Sequence, residues 1–252
     1  MTTETTMGLM ERASTTIGRS HLTAAALLAA VAVTAPAVFA QTPAAAQAAK
    51  LVDLPSFADA RKIADTTCAS CHGAQGEGMP AAGFPRLAGT GGAYLQSQLD
   101  AFASGYRKNS VMQPIAQALS QQQRIELAQF YASLPATVSV DKTAFLEPDP
   151  SNLGEWLALR GRWTDDIPPC GHCHGPTGLG AGEHFPPLAG QPASYLRDQL
   201  QGWKDGLRPP GPMALMVLIA SRLNAADIAA VANFYATLPA KPQPAPRQGG
   251  PQ

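Results

Sequence analysis

The sequence predicts an all-α chain made of two tandem copies of one helical unit. Three observations predict it. Five sequence blocks recur in the same order about 102 residues apart, with the offset drifting only from 101 to 104. Apolar residues inside each copy follow helical spacing. No stretch sustains the period-two alternation of a half-buried strand.

The blocks are specific. Cys68-Ala-Ser-Cys71-His72 returns as Cys170-Gly-His-Cys173-His174. Phe84-Pro85-Arg86-Leu87-Ala88-Gly89 returns as Phe185-Pro186-Pro187-Leu188-Ala189-Gly190. Tyr94-Leu95 with Leu99 returns as Tyr195-Leu196 with Leu200. Met112, followed by Ile115, Ala116 and Leu119, returns as Met216, followed by Ile219, Ala220 and Leu223. Phe130-Tyr131 and Leu134-Pro135 return as Phe234-Tyr235 and Leu238-Pro239. This is duplication of one unit of about 85 residues, since a solenoid needs at least three copies.

Composition narrows the function classes. The chain has 252 residues, 18 basic and 18 acidic, for a formal net charge of zero. Charged residues supply 14%, against roughly 25% in an average globular chain. A nucleic-acid binder would carry a basic excess, and a charged disordered chain would be richer in charge. Gly and Pro number 23 each, which predicts irregular segments between the helices. Four Cys are too few for a disulfide scaffold, so their placement matters more than their number.

Taken in order, residues 1–40 read as a secretory signal peptide. Arg12 and Arg19 precede an apolar run from Leu22 to Ala37, and Val38-Phe39-Ala40 places small residues where cleavage is expected. The apolar run is shorter than the roughly 20 residues a membrane span needs. The chain is therefore expected to be exported, with cleavage near Ala40. The first domain is expected over 51–137. Ser56 to Thr67 should form a helix capped by Ser56 and running into the first Cys. Ala93 to Ser104 should form a second, stopped by Gly105. Ser120 should cap a third that Pro135 ends. A linker over 138–150 closes on Pro148 and Pro150. The second domain, 151–239, should repeat the pattern over Gln191–Trp203 and from an Asn224 cap to Leu238. Residues 240–252 form a Pro-rich tail expected to be disordered.

The pattern Cys-x-x-Cys-His is an attachment site for c-type haem. Two thiols three positions apart can each add to one porphyrin vinyl group, and the adjacent His can bind the iron. A four-Cys zinc site would place its pairs about 15–20 residues apart, whereas these lie about a hundred apart. A thioredoxin-type pair would want a βαβ context. Plain disulfides would leave His72 and His174 unexplained. Two covalent haem c groups are the expected cofactors, held through Cys68, Cys71, Cys170 and Cys173.

Met112 lies 40 residues after His72, and Met216 lies 42 after His174. Both stand before a predicted helix in Pro-, Gly- or Asn-rich segments. Two Met in register favour axial ligation over core filling, so the expected iron ligands are His72 with Met112 and His174 with Met216. Met213 is the rival in the second unit. Met79 follows its motif too closely and has no counterpart. Pro85 and Pro186 offer carbonyls that could accept the ligand imidazole's hydrogen bond, or serve as simple turn residues. Arg107 and Arg208 could pair with haem propionates or lie on a solvated face. Tyr94, Tyr195 and Trp203 read as core.

These motifs resemble the dihaem cytochrome c4 family over about Ala58 to Leu238: the CASCH and CGHCH attachment motifs, the FPxLAG segments with a following Tyr-Leu, and the MxxIAxxL segments. The resemblance implies two cytochrome c domains about a pseudo-twofold axis, haems facing across the interface, and His/Met ligation at both irons. It also implies the carbonyl role for Pro85 and Pro186, and single-electron transfer in the periplasm between redox protein partners, such as a membrane cytochrome complex or terminal oxidase of a respiratory chain. One departure is visible: Arg208 to Met216 is three residues longer than Arg107 to Met112. The chain is expected to be a carrier rather than an enzyme. The alternatives are the haem subunit of a periplasmic dehydrogenase complex and a dihaem peroxidase, which would need one iron able to open.

Overall fold

The computed structural model describes residues 57–136, 138, 140 and 147–238. The expected signal peptide, the Ser56 cap and the Pro-rich tail lie outside the described residues. Both repeats fall within one compact unit, Ala49–Gln252. Ten α-helices carry the described fold, and pairing between extended segments is limited to three isolated bridges, such as Met79 with Phe84. No single described helix is long and apolar enough to cross a membrane.

The first repeat opens with α1 (Ala58–Ile63), which continues through a π-helical turn (Ala64–Cys68) into α2 (Ala69–His72). The expected helix therefore runs past the first Cys and carries the whole attachment motif. A π turn adds a residue to the turn and often marks a functional site. α3 (Gly92–Ala103), α4 (Met112–Ala118) and α5 (Gln121–Ser133) complete the repeat. α5 packs on α3 and α1, closing a core of Ala60, Leu95, Leu127, Ala128 and Tyr131. Ser120 caps α5 through a capping box with Gln123: its hydroxyl accepts the Gln123 N–H at 3.2 Å, and the Gln123 side chain accepts the Ser120 N–H at 2.8 Å.

The second repeat adds an element the periodicity did not signal. α6 (Leu153–Leu159), capped by Asn152, packs against the last helix, α10 (Ala225–Thr237). Only Gly154 permits that crossing, because a Cβ there would strike the Ala230 carbonyl. Unlike its counterpart, α6 does not run into the motif. A turn through Trp163–Asp165 intervenes, and the motif sits on a separate α7 (Gly171–His174). α8 (Ala193–Lys204), α9 (Leu215–Arg222) and α10 (Ala225–Thr237) repeat α3 to α5. Asn224 caps α10 in a second capping box, with Asp227 as its partner.

Val138 and Val140, in the expected linker, are buried with Ala189 of the second repeat. One expectation, that Trp203 belongs to the core, needs correction. Trp203 is only half-buried: its ring lies 3.7 Å from the Arg208 guanidinium, and its indole N–H donates to the Pro209 carbonyl.

Candidate functional site

Each attachment motif is a short helix whose last residue is the histidine. A glycine follows with φ near +80°, Gly73 in one repeat and Gly175 in the other, and turns the chain away. His72 and His174 are buried, 6% and 7% exposed. The Nδ1 of His72 is 2.8 Å from the Pro85 carbonyl oxygen, and that of His174 is 2.8 Å from Pro186. A carbonyl only accepts, so Nδ1 carries the proton and donates, leaving Nε2 as an unprotonated lone pair. Burial pulls both imidazoles below their ordinary pKa, partly offset by the proline carbonyls. Both rings are thus neutral at pH 7, the form that binds a metal.

No disulfide joins the four cysteines; three are half-buried and Cys173 is exposed. Burial pushes the Cys68 thiol up, and the Cys170 thiol to about 11. Among the described residues, no three His, Cys, Asp or Glu side chains converge to hold a bare metal ion. Paired cysteines beside a tautomer-locked imidazole fit a thioether-linked haem in both repeats. Tyr131 and Tyr235, at matching positions, stand beside Cys68 and Cys170, and burial raises both phenols. The Tyr235 hydroxyl is buried against the Cys170 thiol.

The methionines sit inside their helices rather than before them. Met112 is the first residue of α4, Met216 the second of α9, and both are half-buried. The Asn109 carboxamide accepts the N–H groups of Val111 and Met112 at 3.0 and 2.8 Å, so it fixes the entry to α4. Sequence reasoning missed this residue, although Asn two or three positions before a helix is a capping signal. In the second repeat the three extra residues form a turn, Pro212–Ala214, with Met213 and Ala214 at positive φ. Met213 is 78% exposed. Met79 is also largely exposed.

Arg107 and Arg208 do not lie on a solvated face; each is 8% exposed. They occupy the seam between the repeats. Arg107 donates to Gln98 (2.7 Å) in its own repeat and to Gln199 (2.5 Å) and Tyr195 (3.4 Å) in the other. Arg208 donates across to the Tyr94 hydroxyl at 3.0 Å. These partners are neutral. Tyr94 and Tyr195 are thus more than core packing, since their hydroxyls bind the arginine of the opposite repeat. Glu183 reaches across too. Its carboxylate accepts the Ala93 N–H and its carbonyl accepts that of Tyr94, capping α3 from the second repeat. A Cβ on Gly91 would collide with the Glu183 backbone at 2.7 Å.

Arg86 is 2% exposed. Its guanidinium bridges two equivalent carbonyls, Ala88 in the first repeat (2.5 Å) and Ala189 in the second (3.1 Å). Burial lowers its pKa to about 10, which leaves it cationic at neutral pH.

The model of the cytochrome c family matches residues 57–135 and 169–239. The chain is 43% identical over 207 residues to a thiosulfate dehydrogenase electron acceptor of Stutzerimonas stutzeri, covering 78% of this chain and 94% of that protein. It is 46% identical over 180 residues to a protein of the same description from Thiomonas intermedia, covering 70% and 80%. Cytochrome c4 of Pseudomonas aeruginosa is 36% identical over 66% of this chain and 81% of its own. Among solved structures, reduced cytochrome c4 from Pseudomonas stutzeri superposes with a TM-score of 0.62 at 32% identity, covering 72% of this chain and 98% of that one. Thiosulfate dehydrogenase (TsdBA) from Marichromatium purpuratum superposes at 0.64 and 40% identity over 73% of this chain, which spans 40% of that longer chain. Two cytochrome c repeats mean two covalent haem c groups. Duplicated attachment helices, matched proline carbonyls and this pattern of likeness lead to one conclusion: the chain belongs to the cytochrome c family, as a dihaem electron carrier of the cytochrome c4 type.

Proposed function

We propose that this chain is a periplasmic electron acceptor for a dehydrogenase that oxidises thiosulfate or a similar sulfur oxyanion, and that it passes single electrons on toward a membrane terminal oxidase. The observation that carries this reading is the graded likeness. The chain is 43% and 46% identical to two proteins described as thiosulfate dehydrogenase electron acceptors, and 36% to a cytochrome c4. The export signal read over residues 1–40 supports the periplasm.

Each haem supplies a reversible one-electron iron couple. The chain's own residues do the rest. Cys68 and Cys71, and Cys170 and Cys173, anchor the group so that it cannot dissociate. Pro85 and Pro186 hold the His72 and His174 rings in the Nδ1–H tautomer, which would leave Nε2 to bind the iron and raises its basicity. Met112 and Met216 would supply the thioether ligands; their half-burial supports this, as does the exposure of Met213. His/Met ligation closes the coordination shell and raises the potential. That suits a carrier and disfavours the peroxidase reading. Arg107 and Arg208 receive the propionates; two buried cations bonded to neutral side chains support an anionic neighbour.

A dehydrogenase that removes two electrons is matched by two one-electron sites in one chain. The test is stopped-flow mixing of the oxidised protein with a purified thiosulfate dehydrogenase and thiosulfate. Full reduction of both haems, dependent on both the enzyme and thiosulfate, is expected. Failure to reduce, in protein that ascorbate reduces fully, would overturn the proposed donor.

A further inference from the structure

The two proline carbonyls look equivalent, but the peptide units they belong to are not. The carbonyl of Pro85 and the N–H of Arg86 are two ends of one peptide group. The carbonyl accepts His72 Nδ1–H at 2.8 Å, and the N–H donates to Gln191 Oε1 at 3.0 Å. Gln191 belongs to the second repeat and is 5% exposed. Its orientation is forced: its Nε2 donates to the Arg86 carbonyl at 3.0 Å, so its oxygen must face the Arg86 N–H. A continuous chain of hydrogen bonds therefore runs from the imidazole of one repeat, through one peptide group, to a buried side chain of the other.

The second repeat has no equivalent. His174 donates to Pro186, but the next residue is Pro187, which has no N–H. The residue matching Gln191 is Thr90, whose buried hydroxyl has no hydrogen-bond partner. The asymmetry thus rests on two substitutions at matched positions, Arg86 against Pro187 and Gln191 against Thr90.

We propose that Gln191 is a positioning residue for the first haem alone, tuning the proximal His72 across the domain interface. Hydrogen bonds in a chain polarise one another. An acceptor on the Arg86 N–H makes the Pro85 oxygen more negative, and its bond to His72 Nδ1–H stronger. The imidazole becomes a better donor to iron and stabilises the oxidised state. Gln191 thereby lowers the first haem's potential and leaves the second untouched. Docking of the two repeats is then part of the ligand set of one haem. This rests on the reading of His72 as proximal ligand.

The test uses the full holoprotein, with Gln191→Met, of similar length but without the two hydrogen bonds, and Arg86→Met as control. Arg86→Met keeps the peptide N–H and its bond to Gln191 but removes the guanidinium bridge. The two haem potentials are measured by redox titration assigned by NMR, alongside the Nδ1–H proton resonances of His72 and His174 in the reduced state. For Gln191→Met, the first haem's potential should rise, the His72 proton should move upfield, and the signals of the second haem should stay. Arg86→Met should leave the His72 proton in place, while loss of a buried cation lowers the potential. Equal movement of both haems, no movement, or the same His72 shift in both variants would overturn the proposal. Unfolding of Gln191→Met with a native, wild-type-like Arg86→Met spectrum would likewise assign Gln191 to folding alone. A wild-type His72 ring proton without the ring-current shift of an iron ligand would reject the ligand assignment itself, before any variant is compared.

Discussion

Met213 and Met216 stand three positions apart, yet the backbone treats them oppositely. Met213 sits at φ +55°, out in solvent; Met216 lies in the first turn of α9 and is half-buried. Met216→Ala should therefore abolish the sulfur-to-iron band of one haem and lower its potential, while Met213→Ala leaves both haems as they are. Absorption spectra and a redox titration check this. At this scale the sequence was most legible where chemistry demands a fixed spacing, as in Cys68, Cys71 and His72. It was silent on Asn109, Gln191 and Glu183. These act through single hydrogen bonds whose partners only the folded chain brings together.

At the scale of elements, the caps at Ser120 and Asn224 were readable because a capping box is local, closed within four residues. The short α6 was not, since its seven residues hold too few turns to show a period. Asp227 does two jobs in its element. It completes the cap of α10, and it takes two hydrogen bonds from Arg162 at 2.9 and 2.7 Å while only 1% exposed. Arg162, first, holds the Asp227 carboxyl below its ordinary pKa of 3.8, with the Asn224 N–H and the Lys204 charge assisting against burial. A depressed carboxylate stabilises the fold above the unfolded value, and the benefit fades as pH falls through the folded one. Arg162→Met should thus cost about 2 kcal/mol at pH 7. The gap to wild type should narrow below about pH 4. Urea unfolding at pH 7 and pH 3 measures both.

For the whole molecule, duplication was plain in the sequence, but the seam between the copies was not. Its contacts join residues about a hundred positions apart, such as Arg86 with Gln191 and Arg208 with Tyr94. Sequence periodicity says nothing of how two copies face each other, so Arg107 and Arg208 read equally as surface or site. The seam is also asymmetric, with Glu183 capping a helix of the first repeat from the second. Glu183→Ala should speed amide exchange at Ala93 by a factor of about 2 to 5, and leave α8 unchanged. Hydrogen-exchange NMR reads this directly.

The account depends above all on two closed irons of like ligation in one chain. Near-infrared magnetic circular dichroism of the oxidised mature protein, scaled to its haem content, tests that most directly. Two haems per chain, both low-spin with the thioether charge-transfer signature, is the predicted result. One haem per chain, or a high-spin signal from either site, would contradict it.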